Sequence, residues 1–278
     1  MSGRKKKLSM KLKRYNIILI GALIVLMLLL AFLMFYQIFG NNDYYKVESR
    51  KDNIEKSKKS DNEDHETIGW IRVQGTNIDY PVFGVLSRDY DYPVVSTPFT
   101  WSLNNDSEYH DVMLVYGHNI MNLSSYPRIE DSTFERMEQL MGFVYYDFAQ
   151  KNQYMQLTID GKNYLYKIFA VNFMRAYELN AYPPGEFSES ARSVYMDTIM
   201  STSIYDYDVK VDDDDKILSV VTCTKFFRDD KSYDFIVTGR LVEEGEKVEQ
   251  YSVHRNKNYE QIAEILKGAE NDEFTENA

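Results

Sequence analysis

Two side chains of this sequence carry the chemistry needed for covalent acyl transfer, a thiol and an imidazole. Cys223, the single cysteine, directly follows the apolar run 217–222 and opens a polar loop. His118 follows the apolar run 112–116 and a glycine. A thiolate attacks carbonyl carbon, and a nearby imidazole carries protons to and from the reacting groups. The two residues therefore predict a cysteine nucleophile with a histidine partner, on condition that the fold brings them together.

Both residues also have a purely structural interpretation. A lone cysteine is commonly a small buried hydrophobic residue, and a histidine at a strand end can be a hydrogen-bonded packing residue. The other histidines lie in less suitable places: His65 in a charged segment, His110 beside a polar loop and His254 in the C-terminal tail. A chain with one cysteine forms no internal disulfide and no zinc site of several cysteines. Position alone leaves the choice open for Cys223.

Short and alternating apolar runs predict a mostly β domain that positions these two residues. Strands are expected at 67–82, as a pair with a turn at Gly75-Thr76, and at 112–116, 142–147, 154–159, 163–174, 217–222 and 235–242. Asp160 and Gly161 predict a tight hairpin turn between two of these strands. Helices are expected at 133–141 and 188–201, where apolar residues recur at helical spacing. The predicted domain covers residues 66–243.

The N-terminal part of the sequence predicts a membrane anchor. Residues 1–14 hold seven basic side chains and no acid, and residues 15–40 carry no charge. An apolar helix of about 20 residues spans a bilayer. A cleaved signal peptide is the weaker alternative, because its apolar core is usually about 7–15 residues long. Basic residues ahead of the span favour a cytoplasmic N-terminus, so we expect a single-pass cell-membrane protein with an extracellular catalytic domain.

Two charged segments flank the predicted domain. Residues 41–65 indicate a stalk without a core of its own. Residues 244–278 form an acidic extension, for which we expect a solvated tail, with a partner-binding or lid helix as the alternative. Beyond residue 40 the chain carries 25 basic and 43 acidic residues, a net charge of −18. Because phosphate binding requires a basic surface, nucleic acid is not expected as a partner.

Four stretches, taken together, resemble the sortase family and, within it, class B. They occur in the order of the family motifs and extend across nearly the whole predicted β domain. They are IGWIRVQGTNIDYPV (68–82), LVYGHNI (114–120), VTC (221–223) and FIVTGRL (235–241). The resemblance implies a sortase-like closed β-barrel with a few short helices, preceded by the one N-terminal transmembrane helix.

The resemblance also implies a membrane-anchored cysteine transpeptidase on the outer face of a Gram-positive-type cell. Cys223 would attack a threonine carbonyl in the C-terminal sorting signal of a secreted surface protein, and His118 would carry the protons. Thr222 would help to bind the carbonyl oxygen of the substrate. The acyl group would pass to an amine of a peptidoglycan precursor or of a pilin lysine. This chemistry requires no metal ion and no organic cofactor.

One position departs from the family pattern. Sortases carry an arginine at the start of the last strand, where this sequence has Asp234, and an acid there would repel a developing oxyanion. We expect Arg228, in the loop after Cys223, to replace that arginine, because Arg240 lies about 20 Å from Asp234 along an extended strand. Two other functions remain open at this point. They are a weak or inactive sortase-like protein that binds sorting signals or pilus proteins, and a hydrolytic cysteine peptidase of another fold.

Overall fold

The structure is a computed structural model of the full chain. It describes residues 19–31, 55, 67–84, 99–100, 111–129, 131, 133–134, 137–175, 189–228 and 232–276. The chain divides into two compact units, Met1–Lys46 and Val47–Ala278. In the first unit, residues 19–31 form a helix whose side chains are exposed.

The predicted membrane anchor requires correction. Among the helices that the structure describes, none is both long enough and apolar enough to cross a bilayer. The expected single-pass topology and extracellular localisation depended on this predicted anchor, so they are corrected together with it. Residues 1–14, and 41–65 except for residue 55, lie outside the described residues, so these predicted segments and the domain boundaries stay predictions.

The second unit contains the predicted β domain. Its strands are β1 (Thr67–Val73), β2 (Asp79–Gly84), β3 (Phe99–Thr100), β4 (Val112–Tyr116), β5 (Tyr154–Ile159), β6 (Lys162–Arg175), β7 (Tyr205–Tyr207), β8 (Ile217–Thr224), β9 (Tyr233–Leu241) and β10 (Val253–Arg255). Its helical elements are a 3-10 helix (Met137–Val144), α1 (Tyr146–Lys151), α2 (Glu189–Thr202) and α3 (Lys257–Glu276).

Eight strands form the main sheet in the order β1-β2-β3-β4-β8-β9-β6-β5, and β5 pairs again with β1. Strand β3 has only two residues and pairs only with the last two residues of β2 and of β4. Over the remaining length of β2 and β4, no described strand lies between them. The sortase-like closed barrel expected from the sequence is therefore corrected to a half-barrel, because in the described part of the chain a two-residue strand does not complete the wall. The helices are also not all short, since α3 has 20 residues.

The half-barrel is packed on both faces around β8 and β9. On β8, Leu218 and Val220 enter one buried apolar cluster. Ile217 and Val221 enter a second cluster on the opposite face, which includes apolar side chains of α2. Successive side chains of a strand point to opposite faces, and α2 covers the second face, so nearly all of β8 is buried.

Most of the predicted strands are confirmed, and so is the predicted hairpin turn. Asp160 and Gly161 have φ of 50° and 67° and connect β5 with β6, as expected for a turn with two left-handed residues. The strand predicted at 142–147 is wrong, because the chain there ends the 3-10 helix and begins α1. Gly142 lies against the Phe148 ring, so tertiary packing overrides the β preference of this apolar run.

The C-terminal extension is not a solvated tail. Strand β10 pairs with β7 in a second, two-stranded sheet. Helix α3 places Tyr259, Ile262 and Leu266 in the cluster that also holds Leu218 and Val220. The apolar stripe of this segment therefore packs onto the domain instead of facing solvent.

A partly buried group of charges fastens the start of the C-terminal extension to the half-barrel. The Glu246 carboxylate accepts hydrogen bonds from the Arg240 guanidinium at 2.7 and 2.8 Å and from Lys167 Nζ at 2.6 Å. The hydrogen bonds from Arg240, and to a smaller extent the one from Lys167, lower the pKa of Glu246 to about 2. These bonds join the extension to β6 and β9.

We predict that Glu246→Gln removes a pH-dependent part of the stability. The native pKa of Glu246 lies below its usual value of 4.5, so the carboxylate stabilises the fold above that pH and loses this effect as the pH falls towards about 2. At pH 7 the variant should be less stable by at most about 3 kcal/mol, and the difference should vanish near pH 2. Urea unfolding across this pH range measures the effect.

The matched control is Glu264→Gln, because Glu264 pairs with Lys267 at the surface and its side chain is 76% exposed. This control should change the free energy of unfolding little at any pH. A loss of stability in Glu246→Gln that stays constant from pH 7 to pH 2 would contradict the assignment.

Candidate active site

Two adjacent parallel strands bring the predicted nucleophile and its partner together. Strands β4 and β8 pair in parallel, with Tyr116 opposite Val221. The pairing continues past the end of β4, because the Gly117 N–H donates to the Val221 carbonyl at 3.0 Å. Parallel neighbours are about 4.8 Å apart, so His118 and Cys223 leave the sheet side by side at the same edge.

The two side chains also lie on the same face of the sheet. Val221 belongs to the second cluster and Tyr116 packs against it, and side chains two positions further along a strand return to the same face. The His118 ring contacts the Tyr116 ring edge to face, with 6.1 Å between centroids and 89° between planes. Both His118 and Cys223 are partly exposed, whereas Val221 is fully buried. Both side chains are therefore partly open to solvent.

The thiol is in direct contact with the loop that carries the histidine. Cys223 Sγ donates to the Asn119 carbonyl at 3.4 Å. The backbone of His118 is held from its other side, because its carbonyl accepts from the Met137 N–H at 3.1 Å. The loop that follows β4, residues 117–128, is called the histidine loop below. It is fixed between β8 and the 3-10 helix.

Thr222 and Gly117 join β8 to the histidine loop. The Thr222 hydroxyl donates to the Gly117 carbonyl at 2.7 Å, and the Thr222 side chain is fully buried. A Cβ atom on Gly117 would lie 2.3 Å from Met137 Cγ. Only glycine permits the loop to approach the 3-10 helix this closely. The role predicted for Thr222 in substrate binding stays a prediction, since its hydroxyl is engaged inside the protein.

Two buried asparagines shape the histidine loop, and the sequence analysis did not single them out. The Asn119 side chain makes two bonds of 3.0 Å to the Asn122 backbone: Asn119 Nδ2 donates to the Asn122 carbonyl, and Asn119 Oδ1 accepts from the Asn122 N–H. Asn122 Nδ2 also donates to the Glu138 carbonyl at 2.8 Å and to the Arg128 carbonyl at 2.9 Å. Asparagine side chains commonly bond to nearby backbone groups. Two asparagines three residues apart, just after a strand, were therefore the sequence feature from which this loop structure could have been predicted.

Arg228 connects the loop after Cys223 with the histidine loop. Arg228 Nε donates to Ser125 Oγ at 2.9 Å, and Ser125 Oγ donates to the Phe226 carbonyl at 2.6 Å. Ser125 is buried, while Arg228 is exposed overall. The structure therefore brings the predicted arginine to the same edge of the sheet as Cys223 and His118.

Asp234 lies directly across from Cys223 in the pairing of β8 with β9. Side chains directly opposite each other in an antiparallel pair share a face, with Cβ atoms about 5 Å apart. Asp234 is only 2% exposed, so this acid belongs to the immediate surroundings of the thiol. Arg240 pairs with Ile217 at the other end of β8 and bonds to Glu246. Arg240 is therefore remote from the site, as the sequence indicated.

On the face of the sheet that α2 covers, three buried hydroxyl groups bond to one another. The hydroxyls of Tyr195 and Ser219 bond at 2.8 Å, and Ser219 also bonds to Thr238 at 3.2 Å. Burial raises the pKa of Tyr195 to about 12, so Tyr195 stays neutral and packs α2 onto the sheet. Among the described residues, no three His, Cys, Asp or Glu side chains are grouped closely enough to hold a metal ion.

Comparison with known proteins identifies the family of this chain. Residues 71–242 match the model of the sortase domain family. Sortase B of Listeria monocytogenes serovar 1/2a is 26% identical over 195 residues, which are 65% of this chain and 69% of that protein.

Solved structures show the same fold. Sortase B of Clostridium perfringens is 26% identical with a TM-score of 0.53, and the match covers 68% of this chain and all of that chain. Sortase B from the type II pilus of Streptococcus pneumoniae is 25% identical with a TM-score of 0.50, covering 64% of this chain and 92% of that chain.

The half-barrel, the thiol and imidazole at adjacent strand ends, and these matches together define a cysteine transpeptidase. The chain belongs to the sortase family, and its similarities are to class B.

We predict that Gly117→Ala destabilises the protein by about 1–3 kcal/mol, because the added methyl group overpacks the contact with Met137. Urea unfolding measures the change. In a double-mutant cycle, Gly117→Ala should cost less when Met137 is already replaced by alanine. The matched control is Gly268→Ala in α3, where an added Cβ meets no atom within 4 Å. That control should leave stability unchanged or raise it, and a Gly117→Ala variant as stable as the wild type would contradict the close approach.

Proposed function

We propose that Cys223 is the nucleophile and His118 the acid–base residue of a transpeptidation on C-terminal sorting signals. The observation that carries this proposal is the parallel register of β4 and β8, which sets both side chains side by side on one face. The bond from Cys223 Sγ to the Asn119 carbonyl supports it, because the thiol contacts the residue after His118. A general acid–base residue has to lie within reach of the group that it serves.

In the first half of the reaction, the Cys223 thiolate attacks the carbonyl carbon of a threonine in the sorting signal. A carbon–sulfur bond forms, and the amide bond to the next residue breaks. His118 gives a proton to the leaving amine, which departs with the C-terminal part of the signal. The acyl group remains on Cys223 as a thioester.

In the second half, an amine attacks the thioester carbon. His118 takes the proton of the amine, a new amide bond forms, and the Cys223 sulfur leaves. Acceptors of suitable chemistry are an amine of a peptidoglycan precursor and a lysine of a pilin. The similarity to a sortase B from a type II pilus supports including the pilin lysine.

Arg228 is proposed to stabilise the oxyanion that develops on the substrate carbonyl in both halves. Its bond to Ser125 holds the guanidinium on the histidine loop, at the edge where Cys223 lies. A fixed positive charge near a developing oxyanion lowers the barrier of acyl transfer. Such a charge is needed all the more here because Asp234, opposite Cys223, adds an acid to the surroundings of the thiol.

The nucleophile and its partner are tested by incubating the full chain with a library of sorting-signal peptides and an amine acceptor. Mass spectrometry should find a thioester adduct on Cys223 and a transpeptidation product, and both should be lost in Cys223→Ala. His118→Ala should slow product formation by about 10²–10⁴-fold, the usual contribution of a general acid–base residue. The matched control is His254→Ala, because His254 is exposed on β10. Absence of any Cys223 adduct across the library, or an unchanged rate in His118→Ala, would overturn the assignment.

We predict that Arg228→Ala lowers kcat/KM for peptide cleavage by about 10²–10³-fold, the effect of removing an oxyanion donor. Arg228→Lys should recover part of this loss, because it keeps the charge without the planar group of donors. The matched control is Arg255→Ala on β10, whose guanidinium stacks on the Tyr146 ring. If Arg228→Ala keeps the wild-type kcat/KM, Arg228 does not stabilise the oxyanion.

A further inference from the structure

Two large apolar side chains are exposed directly after the histidine. Ile120 is 47% exposed and Met121 is 44% exposed. In the described part of the second unit, the other large apolar side chains of similar exposure are Val194 and Met200 on α2. Apolar surface left in water is unfavourable, and exposed apolar side chains beside a reactive group often mark a binding site.

Ile120 is necessarily close to the thiol. Cys223 Sγ lies 3.4 Å from the Asn119 carbonyl oxygen. Standard backbone geometry places that oxygen about 2.8 Å from the next Cα atom. The Cα atom of Ile120 therefore lies within about 6 Å of the sulfur, a distance of about two residues of an extended peptide.

The backbone that carries the two side chains is held in place. The buried pair Asn119 and Asn122 brackets them. The Ile120 N–H donates to a Glu138 carboxylate oxygen at 3.5 Å, and the Met121 carbonyl accepts from Arg128 at 3.2 Å. A preorganised apolar surface binds a ligand at a lower entropic cost than a mobile one.

We infer that Ile120 and Met121 form an apolar subsite that contacts an apolar side chain of the sorting peptide within two residues of the scissile bond. This inference rests on the proposed function. The acylating peptide is the occupant because its scissile carbonyl has to touch Cys223 Sγ, which brings the flanking residues past Ile120. The subsite thus helps to determine which peptides are processed, without taking part in the chemistry.

The test uses the full chain and a peptide series in which each residue near the scissile bond is replaced by alanine in turn. Ile120→Ser and Met121→Ser should each lower kcat/KM for the parent peptide by about tenfold, mainly through KM. The loss should shrink for the one peptide whose contacting side chain is already alanine. Alkylation of Cys223 by iodoacetamide should keep its rate, because the nucleophile is unchanged.

The matched controls are Val194→Ser and Met200→Ser, which remove equally exposed apolar side chains from α2 and should not alter peptide preference. An equal loss for all peptides, or no loss, would overturn the subsite. If Ile120→Ser or Met121→Ser lowers the melting temperature but leaves the peptide preference unchanged, another part of this chain covers the two side chains. That result would also overturn the subsite.

A second readout separates this inference from the proposed function. In the Cys223→Ala background, peptide binding at equilibrium should weaken by about tenfold when Ile120→Ser is added. If wild-type protein forms no adduct with any peptide, the proposed function fails, and this binding measurement still decides the subsite. If adducts form but binding is unaffected by Ile120→Ser, only the subsite is overturned.

Discussion

The parallel pairing of β4 with β8 is the contact on which the geometry of the site depends. Five residue pairs set its register, from Val112 opposite Ile217 to Tyr116 opposite Val221. Because parallel strands end at the same edge, the residues after each strand emerge together. A slip by one residue would turn one of the two reactive side chains to the other face. The register therefore decides whether the thiol and the imidazole can cooperate.

Burial on both faces is what keeps this register in place. Parallel strands are normally covered on both faces. Here one apolar cluster fills the half-barrel, and α2 covers the second cluster on the outer face. On the face that α2 covers, Val221 is fully buried, and Cys223, two residues further on, is partly exposed. The packing that stabilises the strands thus leaves the thiol partly open to solvent.

The charges around the thiol are divided between a strand and a loop. Asp234 is set by the pairing of β8 with β9 and is buried opposite Cys223. Arg228 belongs to the loop that follows β8, where Ser125 holds it on the histidine loop. The strand position opposite Cys223 thus holds an acid, and the loop after β8 holds a positive charge.

The sequence by itself determined the residue types, the strands beside them and the family, because these depend on local patterns. The runs 112–116 and 217–222 predicted β4 and the first part of β8, and the family motifs singled out Cys223 and His118. Local composition predicted the wrong structure at 142–147 and in the C-terminal tail, where tertiary packing decides, and it did not show that β3 has only two residues in the described part of the chain. Only the tertiary structure decided that β4 lies beside β8, that Asp234 faces Cys223 and that Asn119 meets the thiol. These contacts join residues far apart in sequence, and their pairing is selected by the packing of the whole core, which no local pattern encodes.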